Sequence, residues 1–456
     1  MRPAVLILAA LATAPPVLAQ APARMAPVPV EYSHLPNGLK VVLSPDHTAP
    51  VVTVAVYYNV GFRLEPRDRT GFAHLFEHMM FQGSSNLGKM EFVRLIQRNG
   101  GTFNGSTRFD FTNYFETIPA HKLEMALWAE ADRMRGLDIT QDNLTNQQGV
   151  VKNEVRVNVL NQPYGGFPWL DLPQYANENW FNAHNFYGDL AQLDAATLTD
   201  VQSFFHTYYA PNNAVVVVVG DFEPREALAM VRRYFTDIPR GPAITQPDLT
   251  EPRQAAEKRA TREDRLAPRP GLAIGYKMPA RNTPEYWAMG LIDLVMLQGR
   301  DSRLWESIVQ RSGVASSVGG GINLLGNMFN YNGPMLWTIS LIHDAGKPAD
   351  SIVALVDREV ERIQSTPLTQ AEIQRAAVKA RSQLYDMVGN TFSRADLLAS
   401  FALFDDNPAR INTLETELSR ITPELVLRTA RDYLRPTNRT ILTITPGAAS
   451  GSQEDE

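Results

Sequence analysis

Two histidines and a glutamate within five residues, His74-Leu75-Phe76-Glu77-His78, are the part of this chain best equipped for chemistry. On a helix, positions three and four apart share one face with Cβ atoms about 5 to 6 Å apart, so His74, Glu77 and His78 point the same way. Two imidazoles one turn apart can grip a zinc ion, and a carboxylate beside them can take the proton of a water that the ion acidifies. The order H-x-x-E-H inverts the commoner H-E-x-x-H zinc-protease motif. Among 456 residues with eight histidines, chance yields it in roughly one of a hundred sequences. The bland alternative is a pair of core histidines beside a solvated glutamate. Phe72, Leu75, Phe76, Met79 and Met80 make the segment largely apolar, however, and a carboxylate buried there needs a partner such as a metal.

The chain contains no cysteine, which removes disulfides, thiol nucleophiles and thiolate metal sites. One zinc per chain, held by histidine and carboxylate, is therefore the cofactor expected, and that donor set suits a catalytic site. A third protein donor is needed if one position is to stay open for water. His34, His47, His121, His184, His206, His343 and many carboxylates qualify, and spacing does not choose among them. A hydrophobic content of 44%, 20% charged residues and a net charge of -6 describe a globular chain with no basic field for nucleic acid. The absence of H-x-E with a later P-C-x-x-C excludes a zinc deaminase.

The elements that must position the motif follow from periodicity. Leu39 to Leu43 and Val51 to Tyr58 alternate as strands. The motif helix is expected to be capped by Thr70 and to end near Gly83, followed by a helix over Lys89 to Gln97. Thr102 to Ile118 reads as a strand pair, and helices are expected over His121 to Arg135 and Asp142 to Leu160. Leu193 to Asn213 aligns without gaps on Leu418 to Asn438, sharing Tyr-x-x-Pro-x-Asn, and a β-branched run follows each copy (Ala214 to Val219, Thr440 to Thr445). A duplicated α+β architecture follows, with two α/β domains, each an antiparallel-rich sheet carrying helices on one face. We place the first, motif-bearing domain at 25–238, a proline-bearing linker at 239–270, the second domain at 271–446 and a disordered acidic tail at 447–456. Gly319-Gly320-Gly321 reads as a flexible turn.

At the N-terminus Arg2 precedes the apolar run Ala4 to Ala12, and Val17-Leu18-Ala19 offers small residues for cleavage, so 1–19 reads as a signal peptide and the mature chain as periplasmic or secreted. Pro15 and Pro16 interrupt the run well before the roughly 20 residues of a membrane span, and no other stretch is long enough.

The sequence resembles the pitrilysin family of inverzincin metallopeptidases, to which insulin-degrading enzyme and the mitochondrial processing peptidase belong. The resemblance rests on the motif, on Asn99-Gly100-Gly101-Thr102-Phe103-Asn104-Gly105-Ser106-Thr107, on His184-Asn185-Phe186-Tyr187-Gly188 and on the duplicated halves. It implies that His74, His78 and Glu154 bind zinc, with Glu77 as general base of a zinc endopeptidase. It further implies that an extended peptide pairs with a sheet edge carrying Asn104, Gly105 and Ser106.

Two departures matter. Where many members carry a second glutamate seven residues before the third ligand, this chain has Gln147, which would support the ligands without adding charge. Where active members supply an arginine and a tyrosine that bind the substrate carbonyl, this chain has Val309 and Ser316, and Arg311 and Tyr331 are the nearby substitutes. The resemblance then implies a zinc-bearing subunit completed by a homologous partner in a heterodimer, a homodimer being the other option. The alternative function is a non-catalytic, zinc-stabilised structural or peptide-binding subunit.

Overall fold

The computed structural model describes residues 26–447; the leader at 1–19 and, apart from Gly447, the acidic tail lie outside the described residues. Eleven strands form two sheets among the described residues: β1 (Glu31–His34), β2 (Lys40–Pro45), β3 (Val51–Tyr58), β4 (Thr102–Thr107), β5 (Thr112–Pro119), β6 (Ala214–Gly220), β7 (Lys258–Asp264), β8 (Gly271–Lys277), β9 (Gly319–Ile322), β10 (Leu336–Ile342) and β11 (Arg439–Pro446). The first sheet runs β1-β2-β6-β3-β5-β4 and the second β7-β11-β8-β10-β9. In each, one pair is parallel (β2 with β6, β7 with β11) and the rest are antiparallel. Dropping β1 makes the two orders superimpose strand for strand, so the duplication extends to topology. No helix among the described residues is long and apolar enough to cross a membrane.

Three expectations are corrected. The 239–270 stretch is not all linker, because Lys258–Asp264 is the outer strand β7. Its sequence, Lys-Arg-Ala-Thr-Arg-Glu-Asp, carries the charges that protect an exposed sheet edge, and they masked its strand character. Gly319-Gly320-Gly321 is not a turn but most of β9. A Cβ on Gly320 would lie 2.0 Å from the Thr338 carbonyl oxygen, so glycine is required for the close approach to β10. The motif helix spans Phe72–Met79, ending before Gly83, and Thr70 does not cap it. The Thr70 hydroxyl donates instead to Gln192 (2.7 Å) and accepts from the Asp189 amide (2.9 Å).

Each half also contributes a helix to the other. Thr391–Asp405, from the second half, lies on β2, β3 and β6 of the first sheet. Asp171–Ala176, from the first half, lies on β7, β8 and β11 of the second. One apolar core consequently runs through both halves, joining Ala55, Val215 and Val217 to Trp287, Leu398 and Phe401. Polar ties reinforce it: Tyr57 donates to Asp396 at 2.9 Å, Thr53 to Thr391 at 2.8 Å, and Arg394 pairs with Asp46 at 2.6 Å. The Tyr57 to Asp396 bond is fully buried, so Tyr57→Phe should cost about 1–3 kcal/mol. The loss should appear in urea titrations as a shift of one cooperative transition; a shift confined to one of two separate transitions would contradict the shared core.

Candidate metal and catalytic site

The motif helix is buried on Phe72, Leu75, Phe76 and Met79, which leaves the His74, Glu77 and His78 face to meet a second helix, Gln141–Val155. That helix starts at a Thr140 cap (its oxygen accepts the Asn143 amide at 3.2 Å) and continues through a π-helical turn, Arg156–Leu160, matching the expected span. Glu154 sits in its last turn. His74 Nε2 lies 3.5 Å from one Glu154 oxygen and His78 Nε2 lies 3.1 Å from the other. One donor atom from each of the three falls within 4.8 Å of the others, the one group of this kind among the described residues. For bonds of about 2.0–2.1 Å, a tetrahedral zinc shell needs donors roughly 3.3 Å apart. The two measured separations bracket that figure, and the His-His-Glu set is that of catalytic zinc. The residues present fit the ion.

Electrostatics agree. Burial lowers His74 below the ordinary histidine pKa, against the pull of Glu77 and Glu154, and favours the neutral, ligating form. Its Nδ1 has no hydrogen-bond partner among the described residues, leaving Nε2 as its point of attachment. Burial alone would also lower His78, but hydrogen bonding and charge from Glu154, the charge of Glu77 and contact with Gln147 outweigh it and raise the pKa. The His78 hydrogen bond holds Glu154 below the usual carboxylate range. Gln147 is buried beside these ligands, where the departure from the family pattern places it, and donates to Asn146 at 2.8 Å.

Glu65 carries no spacing signature in the sequence. It is fully buried, and its carboxylate accepts the Gly71 amide (2.9 Å) and the Ala73 amide (2.7 Å), taking the role expected of Thr70 at the helix N-terminus. His184 Nε2 stands 3.6 Å from it and stacks on Trp180 at 4.1 Å. Burial pushes Glu65 above the usual carboxylate range despite His184 and the two amides. The His184-to-Gly188 loop thus braces the motif helix, and Gly188 is needed there: a Cβ would lie 2.3 Å from the Gly71 nitrogen. Tyr187 from the same loop packs edge-on against His74 at 5.1 Å. Burial, with the charges of Glu154 and Glu77, pushes its hydroxyl up to about 12, so it stays a donor at neutral pH.

Asn104, Gly105 and Ser106 lie on β4, whose one partner is β5, so the strand's other edge is open among the described residues. The Gly105 amide donates to Asn104 Oδ1 at 2.9 Å, and Ser106 donates to Asn113. Thr107, which ends β4, donates to Glu77 at 2.8 Å. Just beyond, Asp110 accepts from Arg63 (2.9 Å) and from the Asn332 (2.7 Å) and Gly333 (3.2 Å) amides, fastening this turn to the second half. Val309 is packed against the core and Ser316 is exposed. Of the nearby substitutes, Arg311 pairs with Glu359 at 3.0 Å on the surface, and Tyr331 is 1% exposed in the core.

Residues 40–164 match the family model for insulinase, peptidase family M16, and residues 195–378 match that for the peptidase M16 inactive domain. The chain belongs to the M16 peptidases. Among M16 relatives, the zinc protease PqqE of Helicobacter pylori is 26% identical over 90% of this chain and 92% of its own. An uncharacterised zinc protease of Mycobacterium leprae is 27% identical over 62% and 64%. A protease structure from Helicobacter pylori shares the fold at TM-score 0.84 and 24% identity, covering 92% of this chain and all of its own. A peptidase M16 inactive domain from Pseudomonas fluorescens does so at 0.82 and 18%, covering 92% and 99%.

The duplication also lets the two halves be compared at the metal group, which the described residues of the second half lack. Aligning Gln82-Gly83 with Gln298-Gly299 puts Gly290, Asp293 and Leu294 where His74, Glu77 and His78 stand. Gln383 lies fourteen residues past the Thr369 cap, as Glu154 lies past Thr140. These four line a 560 Å³ cavity beside β9. A cleft was kept there without its donors.

Two outcomes follow. Glu65→Ala should cost about 1–3 kcal/mol, because two buried helix amides lose their acceptor, and should weaken zinc retention in competition with a chelator. In the metal-free chain, the raised His78 pKa stabilises the fold below the ordinary histidine value and loses that contribution as pH rises through the raised one. Zinc uptake must displace that proton, so affinity should fall as pH drops through this range. Calorimetry in buffers of different ionisation enthalpy should show proton release on zinc binding that grows as pH falls toward the ordinary histidine value; no release would mean that His78 is neutral beforehand.

Proposed function

We propose that the chain is an exported zinc endopeptidase that cleaves extended or unfolded peptide segments and works with a homologous partner subunit. The convergence of His74, His78 and Glu154, with Glu77 on the same helix face, carries the reading. Those three would hold the ion, which when bound polarises a carbonyl and brings the pKa of water near 7. Glu77 then takes the proton of the attacking water and hands it to the leaving amine. A peptide paired along the open edge of β4 would run its carbonyls past Glu77, and main-chain pairing makes that capture tolerant of sequence.

The need for a partner rests on what the second half lacks. One missing oxyanion donor costs roughly 3–4 kcal/mol of transition-state stabilisation; Val309 has no side-chain donor, and Ser316 has only a short hydroxyl where a tyrosine would reach out. A second copy of this chain would bring the same two residues, so a heterodimer fits better than a homodimer. The same positions favour a second reading, a non-catalytic zinc-stabilised peptide-binding subunit. The leader at 1–19 supports export to the periplasm or beyond.

Glu77→Gln separates the two readings. In the enzyme reading it leaves about one zinc per chain and lowers peptide cleavage by 10³-fold or more, of the order lost when a general base and its charge are removed. In the second reading it changes no measured function. Wild-type cleavage should be weak for the chain alone and rise about 10²-fold or more when the partner is added; full activity without a partner would remove the half-site argument.

A further inference from the structure

We propose that Thr107 is the positioning residue that fixes the working orientation of Glu77, an inference that rests on the peptidase reading. Thr107 closes β4 and is 2% exposed. Its hydroxyl oxygen lies 2.8 Å from Glu77 Oε2 and 3.3 Å from the Ala73 carbonyl, one turn earlier on the motif helix. A hydroxyl has one proton to give, and the shorter, charge-assisted contact takes it. Among the described residues no other group hydrogen-bonds the Glu77 carboxylate.

The consequence is geometric. A glutamate side chain has several rotatable bonds and a broad terminal torsion, so a helix alone does not aim its carboxylate. The β-branched Thr107 is stiff about its own first torsion, and its backbone is held by the Thr107 to Thr112 pairing and, three residues on, by the Asp110 clamp. Anchoring Oε2 leaves Oε1 as the oxygen that faces the reacting water. Misplacement by about 1 Å in such an arrangement costs on the order of 10²-fold in rate. Because Thr107 belongs to the strand whose open edge would take the peptide, substrate occupancy and base orientation share one element.

The test compares Thr107→Val, which keeps the shape and removes the hydroxyl, with Thr107→Ser, which keeps the hydroxyl, both in the full chain with its partner present. Thr107→Val should lower kcat about 10- to 100-fold with KM within about 3-fold, leave zinc content and chelator competition within about 2-fold, and show the Glu77 carboxylate in more than one rotamer in a crystal structure. Thr107→Ser should retain kcat within about 3-fold. An unchanged kcat in Thr107→Val, a single unchanged Glu77 rotamer, or a Ser variant as impaired as Val would overturn the assignment. If wild type cleaves no peptide, the peptidase reading fails on its own, and the Glu77 rotamer in Thr107→Val decides the positioning claim.

Discussion

Everything at the candidate centre depends on holding three donors from two helices within a few ångströms of one another. The motif helix is only eight residues long, too short to be stable alone, so its position must be imposed. Glu65 and the His184-to-Gly188 loop fix its N-terminus, the aromatic core under Phe72 and Phe76 fixes its depth, and packing on the Gln141–Val155 helix brings Glu154 across. Without an ion, His78 Nε2 and Glu154 hold each other by a hydrogen bond at 3.1 Å. The donors therefore stay assembled, and binding has little reorganisation left to do.

The charge at the centre follows from the same arrangement. A divalent ion with Glu154 and Glu77 sums formally to zero; a second glutamate at position 147 would make the sum negative. Gln147 keeps the hydrogen-bonding support while leaving the centre a stronger electrophile toward a carbonyl oxygen. If the chain works as the half-site proposed, without its own carbonyl-binding arginine and tyrosine, the amide is the less damaging choice.

Much of this was legible in the sequence, for a physical reason. Helix periodicity puts His74, Glu77 and His78 on one face whatever surrounds them, and the Tyr-x-x-Pro-x-Asn repeat marks equivalent helix-to-strand turns in both halves. What stayed hidden depends on contacts between segments distant in sequence. Glu65 has no spacing signature, since its partners are backbone amides across a loop. β7 looked like linker because an edge strand is built to look polar, and β9 looked like a turn because three glycines run together, of which Gly320 is needed for close approach to β10. The exchange of helices between halves leaves no pattern in either helix alone, because each is simply apolar where it is buried.

The two clefts show what duplication fixes and what it leaves free. Sheet order, the capping threonines Thr140 and Thr369 and the Gln-Gly after each first helix are common to both, since they determine the fold. Strand pairing carries the comparison to single residues. Thr107 lies opposite Thr112 and Ile322 opposite Trp337, which sets Asn104-Gly105-Ser106 against Gly319-Gly320-Gly321. In the first half that edge ends in Thr107, a buried hydroxyl on the Glu77 carboxylate. In the second it ends in Ile322, and the carboxylate matching Glu77, Asp293, accepts instead from Trp337 (2.7 Å) and Gln298 (3.2 Å). Burial raises that carboxyl to about 6. The same backbone position thus holds a carboxylate with one hydroxyl donor in one half and one committed to an indole and an amide in the other, and the residue closing the edge strand accompanies the difference.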